Sequence, residues 1–230
     1  MSARLALWEP QSTTGVSVSV CVPAEGNLVV TGRARSGKTV LARNLVAQLQ
    51  HREATELVLF TANPAEYGSA RARVAVVEAE QLTLLEELLL DARARFERYS
   101  DFVPASDADI YVILDEPQPA LRDSIEELFA DGHLVGIYLV ILSRENIIAP
   151  ALLTGLDSTI YLGQPVEQAV ATFPAHYDLA LLEQLPGLRT GEAFVIQHYG
   201  DVTRTPLTPC SIERLSRSSY PQVVGALREV

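Results

Sequence analysis

The segment Gly32-Arg33-Ala34-Arg35-Ser36-Gly37-Lys38-Thr39 follows the pattern G-x-x-x-x-G-K-[ST], and no other feature of the chain restricts its fold as tightly. A loop of this kind works as the joint between a buried strand and the first turn of a helix. Both flanks are present: Asn27-Leu28-Val29-Val30-Thr31 reads as a short buried strand, and Leu41, Leu45 and Leu49 recur every four residues as one helical face. The glycines let backbone N–H groups close around a phosphate, and the helix N-terminus adds its partial positive charge. Lys38 is the only lysine in a chain that otherwise uses arginine. A compact ammonium reaches β- and γ-phosphates where the wider guanidinium fork fits badly. Gly32, Arg33, Ala34, Arg35, Ser36, Gly37, Lys38, Thr39 and the adjoining Val40 are therefore the candidate nucleotide-binding segment, and the Thr39 hydroxyl is a candidate Mg²⁺ ligand.

A second constellation lies at Ile110-Tyr111-Val112-Ile113-Leu114-Asp115-Glu116, an apolar strand with two acids at its C-terminal end, where open parallel sheets bind ligands. Asp115 would hold Mg²⁺ through its water shell, and Glu116 would act as general base on the attacking water, with Lys38 as its catalytic partner. The plainer alternative is that the two acids only open a turn before Pro117. A guanine-reading Asn-Lys-x-Asp motif cannot exist without a second lysine, and the Leu-Ser-Gly-Gly-Gln signature of transporter ATPases is absent.

The remaining chain fills in a sheet. Val16, Val18, Val20 and Val22 alternate with small residues and predict a half-buried strand ahead of the loop strand. Further short strands are expected at 57–60, 74–77, 136–142 and 158–162, with a long helix through Leu82, Leu85, Leu88 and Leu89 and another near 120–130. Gly191 to His198 and Val202 to Leu207 read as a closing hairpin around Gly200-Asp201. Such alternation predicts an α/β domain whose mainly parallel sheet is covered by helices on both faces.

Composition bounds the function. The 230 residues are 48% hydrophobic and 20% charged, the balance of a globular domain, and the longest apolar runs are too short to cross a bilayer. A net charge of −11 argues against coating nucleic acid with the whole surface, so any DNA contact must be local. Two distant cysteines and no export signal predict a cytoplasmic location. His51, His133, His176 and His198 lack metal-ligand spacing, so no zinc site is expected.

Order and spacing resemble the FtsK–HerA superfamily of ring-forming, ATP-driven translocases. The resemblance is carried by Glu25 to Gly32 leading into the phosphate loop, Arg95-Phe96-Glu97-Arg98-Tyr99, the Asp115-Glu116 strand, Leu134 to Ile141, Leu156-Asp157-Ser158-Thr159-Ile160-Tyr161-Leu162, and Leu188 to Ala193. It implies a RecA-like P-loop NTPase fold of the ASCE class with a C-terminal β-hairpin. The whole chain, 1–230, is then one ATPase domain: an N-terminal strand region 1–26, a nucleotide-binding core 27–165, and C-terminal helices and hairpin 166–230. It further implies an ATPase using ATP and Mg²⁺, working as a homo-oligomeric ring, a hexamer, on double-stranded DNA.

Size and the absence of a membrane span favour a stand-alone viral genome-packaging ATPase, docked on a capsid or membrane-embedded partner and recruited from the cytoplasm to a virion vertex or membrane complex. The ATPase domain of a type VII secretion or conjugation apparatus is the second reading. A degenerate ATP-binding assembly module is the third, because Ser143-Arg144 stands where the superfamily carries a glutamine that reads the γ-phosphate. Ser143 would do a weaker version of that job, or the sensor has moved, for example to Gln118. A ring also needs an arginine finger, with Arg122, Arg144 and Arg189 as candidates, and a basic pore lining, with Arg71 and Arg73 as candidates. For each arginine the competing reading is a solvated surface charge.

Overall fold

Alternating side chains along the apolar runs divide between two layers, and this division sets the architecture. The computed structural model describes residues 4–8, 20–23, 25–68, 70–100, 107–144, 147–149, 152, 158–170, 183–190, 192–199, 202–204 and 210–211. In the main sheet the strands are β3 (Leu28–Thr31), β4 (Thr55–Phe60), β5 (Arg73–Ala75), β6 (Asp109–Asp115), β7 (Ile137–Ser143), β8 (Ser158–Leu162), β9 (Glu192–Tyr199), β10 (Val202–Arg204) and β11 (Cys210–Ser211). Their order is β10-β9-β8-β3-β7-β6-β4-β5, with β11 also on β9. The strands from β5 across to β8 pair in parallel, and β9 turns the sheet antiparallel. This is the RecA-like P-loop architecture that the sequence led us to expect.

Helix α1 (Lys38–Leu49) covers one face, where Leu41, Leu45 and Leu49 pack with Val30, Ile113, Leu142 and Ile160. The other face carries α2 (Glu78–Ser100) and α3 (Arg122–Asp131), whose Leu85, Leu88, Ile125 and Phe129 pack with Val29, Val112, Leu114 and Ile141. Adjacent residues such as Val29 and Val30 thus serve opposite layers, as strands buried on both faces require. A smaller cluster joins Tyr161 and Phe194 to Leu185, Leu188 and Ala169, the last on the short helix α4 (Val166–Val170).

Three local differences from the sequence reading have physical causes. The strand expected at 74–77 runs instead over Arg73–Ala75, because the Glu80 carboxylate accepts hydrogen bonds from the amides of Val76 and Val77 at 3.0 and 3.3 Å. Glu80 is the third residue of α2 and turns back on its N-terminus, so these amides serve the helix start and not the sheet. Those two bonds hold the Glu80 carboxyl below the usual carboxylate range. The N-terminal strand is β2 (Val20–Pro23), which pairs antiparallel with β1 (Arg4–Trp8) in a separate two-stranded sheet. Val16 and Val18 lie outside the described residues. The C-terminal hairpin pairs β9 with β10, its expected turn at Gly200-Asp201 lies outside the described residues, and β11 adds a pairing the sequence did not suggest. Among the described residues, no helix is long and apolar enough to cross a membrane.

Asn27 fixes the start of β3 from beneath. It is buried, its Nδ2 donates to the Phe129 carbonyl at 2.8 Å, and its Oδ1 accepts the Leu139 amide at 2.9 Å. One side chain thereby joins β3, α3 and β7. Asn27→Leu strands a buried N–H and a buried carbonyl, and should destabilise the domain by about 3 kcal/mol. Urea unfolding is expected to show a lower midpoint with an unchanged slope.

Candidate nucleotide site

The sheet order creates the crevice. From β3 the chain crosses first to β4 on one side and only later returns to β8 on the other, so the C-terminal end of β3 is the topological switch point where open sheets bind ligands. The loop from Gly32 to Gly37 leaves β3 at this point and delivers Lys38 as the first residue of α1. Arg35 and Gly37 have φ of 60° and 113°, the backbone reversals that turn successive N–H groups toward one point. Gly32 has no room for a side chain: a Cβ there would lie 2.6 Å from Ser36 Oγ and 2.7 Å from Leu162 Cβ. The loop is held to the far side of the switch point by the Arg33 amide, which donates to the Gly163 carbonyl at 3.1 Å. Arg33, Ala34, Arg35 and Val40 are exposed, Ser36 is buried, and Thr39 is half-buried.

Lys38 is 6% exposed and closes the loop on itself. Its Nζ donates to the carbonyls of Gly32 and Arg33 at 2.6 and 3.1 Å, and lies 3.0 Å from Glu116 Oε1. Glu116 in turn is bound by Arg144: the Arg144 Nε lies 3.3 Å from Oε1, and the Arg144 amide donates to Oε2 at 3.2 Å. Glu116 has a φ of 54°, a conformation that costs a non-glycine residue on the order of 1 kcal/mol and that recurs at functional sites.

Asp115, at the end of β6, is more enclosed. Its Oδ2 accepts a 2.7 Å hydrogen bond from the Tyr67 hydroxyl. Burial raises the Asp115 carboxyl above the ordinary aspartate value; the Tyr67 bond pulls it down, neighbouring Glu116 pushes it up, and Lys38 lowers it. Burial, followed by the Asp115 charge, pushes the Tyr67 phenol far up, so it remains a donor. A hydroxyl and a carboxylate oxygen are the hard donors that suit Mg²⁺, which keeps several waters and takes few protein ligands when a nucleotide brings phosphates. Among the described residues no group of three His, Cys, Asp or Glu could hold a metal by itself. Thr39 and Asp115 thus fit an ion that arrives with its ligand.

The other candidates fall into distinct places. Ser143 is buried at the end of β7, in register with Thr31. Gln118 is exposed, at the start of a 3₁₀ turn, Pro119–Leu121. Arg122, Arg144 and Arg189 all lie along the ligand edge of the sheet, but Arg144 is turned to its own Glu116 and Arg122 pairs with Glu126 at 3.1 Å. Arg189 is exposed, and its amide donates to Glu192. Arg73 sits on edge strand β5 between Glu56, 3.5 Å away, and Glu87, so its charge is matched locally; Arg71 is exposed. Among the described residues with placed side chains, Arg33, Arg35, Arg71 and Arg189 carry no ion pair.

Sequence reading missed two partners. Tyr67 is one. The other is Gln164, fully buried after β8, whose Oε1 accepts the Thr31 hydroxyl at 2.9 Å and whose Nε2 has no protein partner among the described residues. The only sequence signal for Gln164 was its place two residues beyond the end of β8, and Tyr67, at the end of the turn after β4, had none.

Two outcomes follow from these contacts. Lys38→Ala removes the buried cation and should weaken binding of a nucleoside triphosphate by about 10²-fold or more, read by equilibrium titration. Asp115→Asn should raise the melting temperature of the ligand-free domain near neutral pH. A carboxyl whose folded value is raised loses stability as pH climbs from its unfolded value through its folded one, so the gain should vanish as pH falls into the ordinary aspartate range.

The sequence profile of the AAA domain family matches residues 23–145, more than half of the chain. No curated protein matches the sequence. Among solved structures, the pCW3 conjugation coupling protein TcpA, in a monomer form with ATPγS, is similar at 14% identity and a TM-score of 0.64, covering 99% of this chain and 70% of that one. The DNA-packaging ATPase B204 from Sulfolobus turreted icosahedral virus is similar at 16% identity and a TM-score of 0.53, covering 79% of this chain and 96% of that one. EssC ATPases 2 and 3 from Geobacillus thermodenitrificans are similar at 12% identity and a TM-score of 0.56, covering 94% of this chain. The chain spans 47% of that EssC structure. At such identities the likeness is one of fold, whereas the profile match extends from the end of β2 through the phosphate loop and both acids. The chain belongs to the AAA domain family of P-loop ATPases.

Proposed function

We propose that this domain hydrolyses ATP with Mg²⁺ to move double-stranded DNA, as a subunit of a homo-oligomeric ring of hexameric type in a genome-packaging machine. The observation that carries the ATPase part is the convergence of Lys38, Asp115 and Glu116 on one crevice at the end of β3. In this reading the loop amides and Lys38 bind the phosphates, and Thr39 and Asp115 hold Mg²⁺, which neutralises phosphate charge. Glu116 takes the proton of a water whose oxygen bonds to the γ-phosphorus as the bridging P–O bond breaks, leaving ADP and phosphate. For that role Glu116 must first be freed from Lys38, which an incoming triphosphate would draw away. Ser143, at the end of β7, stands between the loop strand and the acid strand.

DNA as cargo is supported by the likeness to the DNA-packaging ATPase B204, 96% of which is covered, and by the exposed Arg71 on an otherwise acidic chain. Arg71 remains the candidate for the DNA loop, while Arg73 is occupied by two carboxylates. A ring would take its finger from Arg122, Arg144 or Arg189 of a neighbouring subunit, and a capsid or membrane-embedded partner would recruit it from the cytoplasm. The secretion reading has its own support in the EssC likeness, in which this fold is about half of a longer ATPase chain.

ATP turnover with and without linear double-stranded DNA decides between them. Turnover that rises with DNA, disappears in Lys38→Ala and falls by about 10²–10⁴-fold in Glu116→Gln is the expected result. Turnover indifferent to DNA would favour the secretion reading. Nucleotide binding with no turnover above the variants would leave an ATP-binding assembly module.

A further inference from the structure

We infer that Tyr67 is a positioning residue for the magnesium site, acting through Asp115; this rests on the reading of Asp115 as the acid that holds Mg²⁺. Tyr67 ends the 3₁₀ turn Pro64–Tyr67 that follows β4, and β4 is the immediate neighbour of β6. Its ring is 1% exposed and packs in the same core as Leu41 and Leu45 of α1, so the phenol has little freedom. A buried hydroxyl needs an acceptor, and the acceptor here is Asp115 Oδ2 at 2.7 Å. With Oδ2 accepting that bond, the carboxylate is held in one rotation about its Cβ–Cγ bond and presents its remaining lone pairs to the cation's shell in a fixed direction. Groups that orient a metal-holding side chain in this way typically contribute 10–100-fold to affinity.

A tyrosine that only fills space would be replaced by phenylalanine without consequence, because Tyr67→Phe removes one oxygen and keeps the ring. The test is binding of a fluorescent, non-hydrolysable ATP analogue, titrated with Mg²⁺ and repeated in EDTA. Tyr67→Phe should raise the Mg²⁺ concentration for half-maximal tight binding by about 10-fold or more, with the EDTA affinity unchanged. In an Asp115→Asn background the same substitution should add nothing further, since its effect passes through the lost carboxylate.

An unchanged Mg²⁺ requirement in Tyr67→Phe overturns the inference. So does an equal loss of affinity with and without Mg²⁺, which would make Tyr67 a packing residue of the loop. If wild-type binding is indifferent to Mg²⁺ and to Asp115→Asn, it is the reading of Asp115 that fails, and the inference falls with it.

Discussion

The site depends on one feature of strand order, the insertion of β7 between β3 and β6. Two inter-strand steps of about 4.8 Å each separate the strand that launches the phosphate loop from the strand that carries the acids. Cation and carboxylates are thus held apart at the backbone, and only long side chains meet. Lys38 and Glu116 bridge the gap at 3.0 Å, while Asp115, shorter by a methylene, meets Tyr67 from the other side. Were the two strands adjacent, the acids would crowd the loop. The gap supplied by β7 is the space a polyphosphate requires.

That gap is kept open by packing on both faces. Val140 and Leu142 of β7 face the α1 layer, while Leu139 and Ile141 face α2 and α3. Asn27 ties the lower end of the same region with two buried hydrogen bonds, and Thr31, bonded to Gln164, ties the upper end. The loop therefore rises from a strand secured at both ends. Its own geometry rests on local permissions, the absence of a Cβ at Gly32 and the positive φ at Gly37.

Much of the fold was legible because it is local. The run at 110–115 reads as a strand buried on both faces, and the four-residue recurrence of Leu41, Leu45 and Leu49 reads as a helix face; each signal fits within a single element. The phosphate loop and the Asp115-Glu116 pair were visible for the same reason. Contacts between elements were not. Tyr67 and Asp115 are 48 positions apart, Glu116 and Arg144 are 28 apart, and Thr31 and Gln164 are 133 apart. No periodicity marks such partners, which become neighbours only when parallel strands bring their C-terminal ends to one edge. The pairing of β2 with β1 was hidden likewise, since alternation identifies a strand but not its mate.

The Lys38–Glu116 ion pair has a consequence for how the site empties. A phosphate leaving a bare, buried lysine would abandon an unmatched charge, and the electrostatic penalty would slow its departure. Here the carboxylate is a built-in counter-ion, 3.0 Å from the ammonium. In the proposed cycle each departing anion would be replaced by one the protein carries itself. In that cycle the glutamate would thereby compete with product for the same cation, trading some grip on phosphate for faster release.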